Sequence, residues 1–149
     1  MAMTCKLAFL SAAGFVVSSL SVAAQEKGDT LKEDMTKIQG KWERTFTVDG
    51  KAVRLVKEHK GNKSTLTKYE NNEVFQRHTS EFKLSKTDDA RIFTFSKIEI
   101  TEGKDKGKKY TEQYSFAYRI DRGKFYEFRG ALIGDELFDP EMNVWTRVK

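Results

Sequence analysis

Two histidines, His59 and His78, are the natural starting points for chemistry, because imidazole ligates metals and moves protons near neutral pH. Neither has a cysteine beside it, since the single cysteine is Cys5, so no zinc site of three or four ligands is assembled. His59, in "KEHKGNK", reads as a solvated strand end. His78 shares strand parity with Val74, Gln76, Ser80, Phe82 and Leu84, which points it inward. It is a candidate axial ligand for haem, although a hydrogen-bonded interior histidine is the commoner role. The carboxylates of "KTDDARI" lack the spacing of a calcium loop. No serine sits in a Gly-x-Ser-x-Gly elbow. Glu43, Glu81, Glu99 and Glu127 fall on faces read as outward. Glu112 shares parity with Tyr110 and Tyr114 and is either an inward acid or, more commonly, a solvated rim carboxylate. These residues give no catalytic constellation, so the chain reads as non-enzymatic and no cofactor or metal is assigned.

The aromatic residues carry more information. Phe46, Tyr114, Phe116, Tyr118, Tyr126 and Phe128 have parities consistent with one interior, and His78, Ser80 and Thr94 join them with Gln76 and Ser96. An apolar lining with a few convergent polar groups is how small-molecule sites look. The same alternation also fills a solid core, so both a pocket and a packed interior stay open.

Behind these residues lies a chain of mostly period-two segments. A short helix, capped by Asp29 or Thr30, places Leu31, Met35 and Ile38 on one face and stops at Gly40. "KWERTFTV" then alternates and turns on Asp49-Gly50, a pair suited to a type I′ hairpin. Strands follow at about 52–58, at "KSTLTKYE", at "EVFQRHTSEFKL" after the Asn71-Asn72 turn, at "RIFTFSKIEI" and at "YTEQYSFAYRI". A three-residue Asp121-Arg122-Gly123 turn leads to "KFYEFRG". "ALIGDELFDPEMN" holds a short strand at most, and "VWTRVK" ends the series. About eight strands with short links predict an all-β, single antiparallel up-and-down barrel, because closure removes exposed edges.

The chain has 149 residues with 27 Lys and Arg against 22 Asp and Glu, net +5. Charges of both signs alternate, unlike a dedicated nucleic-acid binder. The opening "MAMTCKLAFLSAAGFVVSSLSVAAQ" has one positive charge, an apolar run and small residues at Ala23 and Ala24, the layout of a secretory signal peptide. The expected organisation is a leader at 1–24, a polar lead-in and helix at 25–39 and a barrel domain at 40–149. Secreted or periplasmic protein would carry no membrane span after cleavage and, without cysteine, no disulfide. Its oligomeric state is left open.

Gly40-Lys41-Trp42 at the head of the first strand, with Arg147 in the last, resembles the lipocalin and calycin pattern. That resemblance implies that Trp42 plugs the closed end of the barrel and that Arg147 packs across its indole. "IQGKWERTFTVDGK" followed by "YRIDRGKFY" is similar to a group of small secreted planctomycete proteins. The larger lipocalins' Thr-Asp-Tyr motif and final helix are absent from the sequence pattern. The expected function is extracytoplasmic binding of a small apolar or amphipathic molecule inside the barrel, through Phe46, His78, Ser80, Thr94, Tyr114, Phe116, Tyr118 and Tyr126. The alternative is a cell-envelope module with a filled core, holding an anionic polymer or a protein through the basic loop "GKDKGKK" at 103–109. That loop is no P-loop, since it lacks the Ser/Thr and leads into a strand.

Overall fold

The computed structural model describes residues 26–88, 90–132 and 139–149. The leader read over 1–24, and most of the stretch before Asp139-Pro140, lie outside them. Helix α1 (Glu26–Ile38) is followed by β1 (Gly40–Val48), β2 (Lys51–Lys60), β3 (Lys63–Glu70), β4 (Glu73–Lys86) and β5 (Arg91–Glu102). Then come β6 (Lys109–Tyr110), β7 (Tyr114–Asp121), β8 (Lys124–Arg129) and β9 (Glu141–Arg147). Strands β1 to β5 and β7 to β9 pair antiparallel in chain order, with β5 beside β7, and β9 returns to β1 with Arg147 opposite Trp42. The fold is a closed eight-stranded up-and-down barrel of lipocalin-like plan, with one short helix among the described residues. The two residues of β6 add a small extension to β5.

Turn chemistry sets much of this register. Asp49 and Gly50 have φ of 49° and 76°, and Asn71 and Asn72 have 51° and 65°, the paired positive values of type I′ hairpins. The β7–β8 link corrects the sequence reading. Asp121 pairs with Lys124, so the turn has two residues, Arg122 and Gly123, at φ 46° and 74°. One residue fewer in that turn reverses the faces of β8. The segment read as one strand from Tyr110 is split by residues 111–113 into β6 and β7.

Helix α1 begins earlier than its expected cap and lies across the barrel end where β1 starts and β9 finishes. Ile38 and Trp42 are fully buried there with Phe125, beside the stacked rings of Phe82 and Phe93, 5.0 Å apart. Burial of each such side chain contributes about 1.5–3 kcal/mol. Asp34 shares the buried helix face, and its carboxylate accepts the Tyr118 hydroxyl at 2.8 Å and pairs with Arg91 at 3.0 Å. Two strands thereby supply the partners that a buried carboxylate requires.

The seam explains the Gly-x-Trp spacing. The Trp42 indole N–H donates to the Ile38 carbonyl at 2.7 Å, which ties β1 to the last turn of α1. The Arg147 guanidinium lies 4.2 Å from the Trp42 ring centroid and donates to the carbonyls of Gln39, at 2.8 Å, and Lys37. It therefore caps the helix C-terminus, where a cation is favoured, while covering the indole. Gly40 has φ of 95°, and a Cβ there would meet the Arg147 guanidinium at 3.2 Å, so glycine suits both backbone and neighbour. Arg147→Ala is expected to cost about 1–2 kcal/mol in chemical denaturation, from the lost stacking and cap. Arg147→Lys should recover less than half, because an ammonium cannot stack flat and bridge two carbonyls.

Candidate functional site

Above the plugged end the barrel interior opens into a cavity of about 450 Å³. That volume lies within the range of small-molecule pockets. The interior is therefore packed at one end and hollow at the other. Its two sides differ. Strands β3, β5 and β7 contribute Leu66, Phe95, Ile98, Ile100 and Phe116, an apolar wall edged by Tyr110 and Tyr114. Strand β4 adds a polar strip of Gln76, His78 and Ser80. Strands β1, β2, β8 and β9 contribute Arg44, Lys57, Glu127, Arg129, Asn143 and Trp145, a charged wall.

The centre of the charged wall is a buried ion pair. Lys57 bonds one Glu127 carboxylate oxygen, and the Trp145 indole N–H donates to the other at 2.8 Å. The side chains are only 9% and 3% exposed. The Lys57 ammonium also lies 4.3 Å from the Trp145 ring centroid. Burial holds the Lys57 pKa below the usual lysine range despite Glu127, and the charges of Arg44 and Arg129 push it the same way. Arg44 sits over Phe46 at 4.8 Å and Trp145 at 5.5 Å, and burial lowers its pKa too. The Arg129 guanidinium lies 5.5 Å from the Phe116 ring centroid.

Beneath the cavity, His59 is 2% exposed among aromatic rings, with Phe82 at 4.8 Å, Phe93 at 5.6 Å and Phe125 at 6.0 Å. Neither ring nitrogen has a hydrogen-bond partner. Burial first, and the nearby Lys57 charge second, hold its pKa down at about 3. His78, in the cavity wall, is shifted down by the same two causes.

Of the residues read as lining a site, His78, Ser80, Tyr114 and Phe116 line the cavity, and Phe46 lies beside it under Arg44. Three are elsewhere. Thr94 occupies the face opposite Phe93 and Phe95 and bonds the Ser115 hydroxyl at 2.9 Å. Lys97, at φ 52°, bulges β5 so that Phe95 and Ile98 share the interior, and this parity change misplaces Thr94 and Ser96 in a uniform reading. Tyr118 is buried below the cavity against Asp34, and burial with that hydrogen bond raises its pKa. Tyr126, with Phe128, lies on the reverse face of β8, because Phe125, Glu127 and Arg129 take the inner one. Glu127 and His59, read as solvated, are both buried. Glu112 is exposed.

The basic loop at 103–109 is partly neutralised within the chain. Lys108 pairs with Asp105 at 2.6 Å, and Lys109 reaches Glu99 at 3.6 Å. Among the described residues, no helix is long and apolar enough to cross a membrane.

Fold and site together define a lipocalin-like barrel with a hollow, two-sided interior. No family model, no curated protein and no solved structure matches the chain.

Proposed function

We propose that this chain is an extracytoplasmic, non-enzymatic binding protein that holds one small apolar or amphipathic molecule in its barrel. The observation that carries the reading is the cavity itself, about 450 Å³ bounded by aliphatic and aromatic side chains on one side and polar groups on the other. Such a lining gives affinity through apolar burial and orientation through a few hydrogen bonds. The export half of the reading rests on the leader-like sequence of residues 1–24.

N-Phenyl-1-naphthylamine, a neutral dye that brightens in apolar surroundings, is expected to bind with one-to-one stoichiometry and little salt dependence. Ser80→Phe should block it by projecting a ring into the cavity, with the circular dichroism spectrum unchanged. Failure of the dye, together with salt-sensitive binding of an anionic polymer lost on neutralising Lys104 and Lys106, would assign the work to the loop instead.

A further inference from the structure

We propose that the ligand is an organic anion, its charged group seated against Arg44 and its apolar body against Leu66, Phe95, Ile98 and Phe116. This deepens the pocket reading above and rests on it.

The charge arrangement is the reason. Among the described residues, the cavity is lined by three cations, Arg44, Lys57 and Arg129, and one carboxylate, Glu127. Both Glu127 oxygens are engaged, one by Lys57 and one by Trp145. Glu127 thus answers Lys57 and leaves Arg44 to find its own acceptor. Among the described residues, the carboxylate paired with Arg44 is Glu141, whose nearest oxygen is 3.6 Å away on a side chain 52% exposed. At that distance it is an ion pair without a good hydrogen bond. Arg44 lines the cavity, and an anion there gives its guanidinium the charge-assisted hydrogen bond that Glu141 at 3.6 Å does not, while offsetting the positive charge of Arg44 and Lys57.

The fold fixes where the two ends of the ligand go. Arg44 and Lys57 project from neighbouring strands β1 and β2, and Trp145 sits beside them on β9, so the cationic groups form one side. The opposite side is built from β3, β4, β5 and β7; among the described residues it carries no Lys, Arg, Asp or Glu, and its polar groups include Ser64 of β3 and Gln76, His78 and Ser80 of β4. A neutral guest gives the Arg44 guanidinium no acceptor, and a cationic guest meets Arg44 and Lys57 with both Glu127 oxygens already engaged. A compact acid with an aromatic or aliphatic body satisfies both sides at once.

The test compares two probes that share one body. 8-Anilinonaphthalene-1-sulfonate is N-phenyl-1-naphthylamine with an added sulfonate. The wild-type protein should bind the sulfonate roughly tenfold or more tightly than the neutral dye, the scale of a hydrogen bond to a charged group. Arg44→Gln should erase that preference, weakening the sulfonate far more than the neutral dye, and Arg44→Lys should restore part of it. Arg129→Gln gives a second reading should Arg44→Gln fail to fold, and it should weaken the sulfonate selectively. Ser80→Phe should block both dyes. Equal affinity for the two probes, or a preference unchanged in Arg44→Gln, overturns the anion while leaving the pocket standing. A preference lost in Lys104→Gln/Lys106→Gln, or sulfonate binding that survives Ser80→Phe, moves the anion to the surface and also overturns it. If neither dye binds, the pocket reading itself has failed.

Discussion

Lowering the pH from 7 to 5 is expected to remove about 2 kcal/mol of stability through His59 alone, and about 3–4 kcal/mol by pH 4. In the folded barrel this imidazole has a pKa of about 3, against an ordinary value of 6.5, because it is packed among Phe82, Phe93 and Phe125 with Lys57 nearby. The unfolded chain therefore takes up a proton near pH 6.5 that the folded chain refuses until about pH 3. Stability is complete above the higher value and falls as the pH descends toward the lower one. The interval between pH 7 and 5 is diagnostic because ordinary carboxylates stay ionised across it. His78 moves in the same direction and adds to the slope. Chemical denaturation at several pH values should show the loss, and His59→Leu should flatten the curve by half or more. Leucine also removes two ring nitrogens that lack partners, so the variant should match or exceed the wild type at pH 5. An unchanged slope in His59→Leu would show that other groups set the acid response.

How much of this was legible beforehand depends on the turns. Alternation and the Asp49-Gly50 and Asn71-Asn72 pairs disclosed the meander, because a type I′ hairpin demands positive φ and those residues tolerate it. The plugged end was legible through Trp42. The charged wall was available in principle. A two-residue turn at Asp49-Gly50 sets Val48 opposite Lys51, which carries Lys57 opposite Trp42 and His59 opposite Gly40. An inward Trp42 therefore makes Lys57 and His59 inward as well. Their charge and polarity argued for solvent, and the register argued against it. The same logic at Arg122-Gly123 places Glu127 opposite Tyr118, but one extra residue in the expected turn sent Tyr126 and Phe128 inward in its place. The Lys97 bulge had no such signal, since a lysine gives no warning of a left-handed backbone. Asp34 was hidden for a different reason: its partners Tyr118 and Arg91 come from β7 and β5, far along the chain.

The largest single-residue effect in the cavity should fall on Glu127. Removing one member of a buried ion pair leaves the other as an uncompensated charge, at a cost of about 3–5 kcal/mol. Here the two members are not equivalent. Glu127→Leu strips the carboxylate from Lys57, orphans the Trp145 N–H and leaves Arg44 and Arg129 beside an ammonium on the same wall of the cavity. It belongs at the upper end of that range. Lys57→Met still leaves Glu127 with the Trp145 donor and two nearby guanidinium groups, so its cost should be lower, about 2–3 kcal/mol. The double variant Lys57→Met/Glu127→Leu should recover part of the Glu127→Leu loss but stay below the wild type, because the unmatched indole and the arginines remain. Denaturant titration of the four proteins gives the coupling energy directly. Ligand binding supplies an independent check on the same charges. With Glu127 gone, an anion in the cavity meets one repulsion fewer, so the sulfonate dye should bind Glu127→Gln more tightly than wild type and raise its stability more. Equal costs for the two single variants, or a Glu127→Gln protein indifferent to the sulfonate, would mean that Arg44 and Arg129 do not share the field of the Lys57–Glu127 pair.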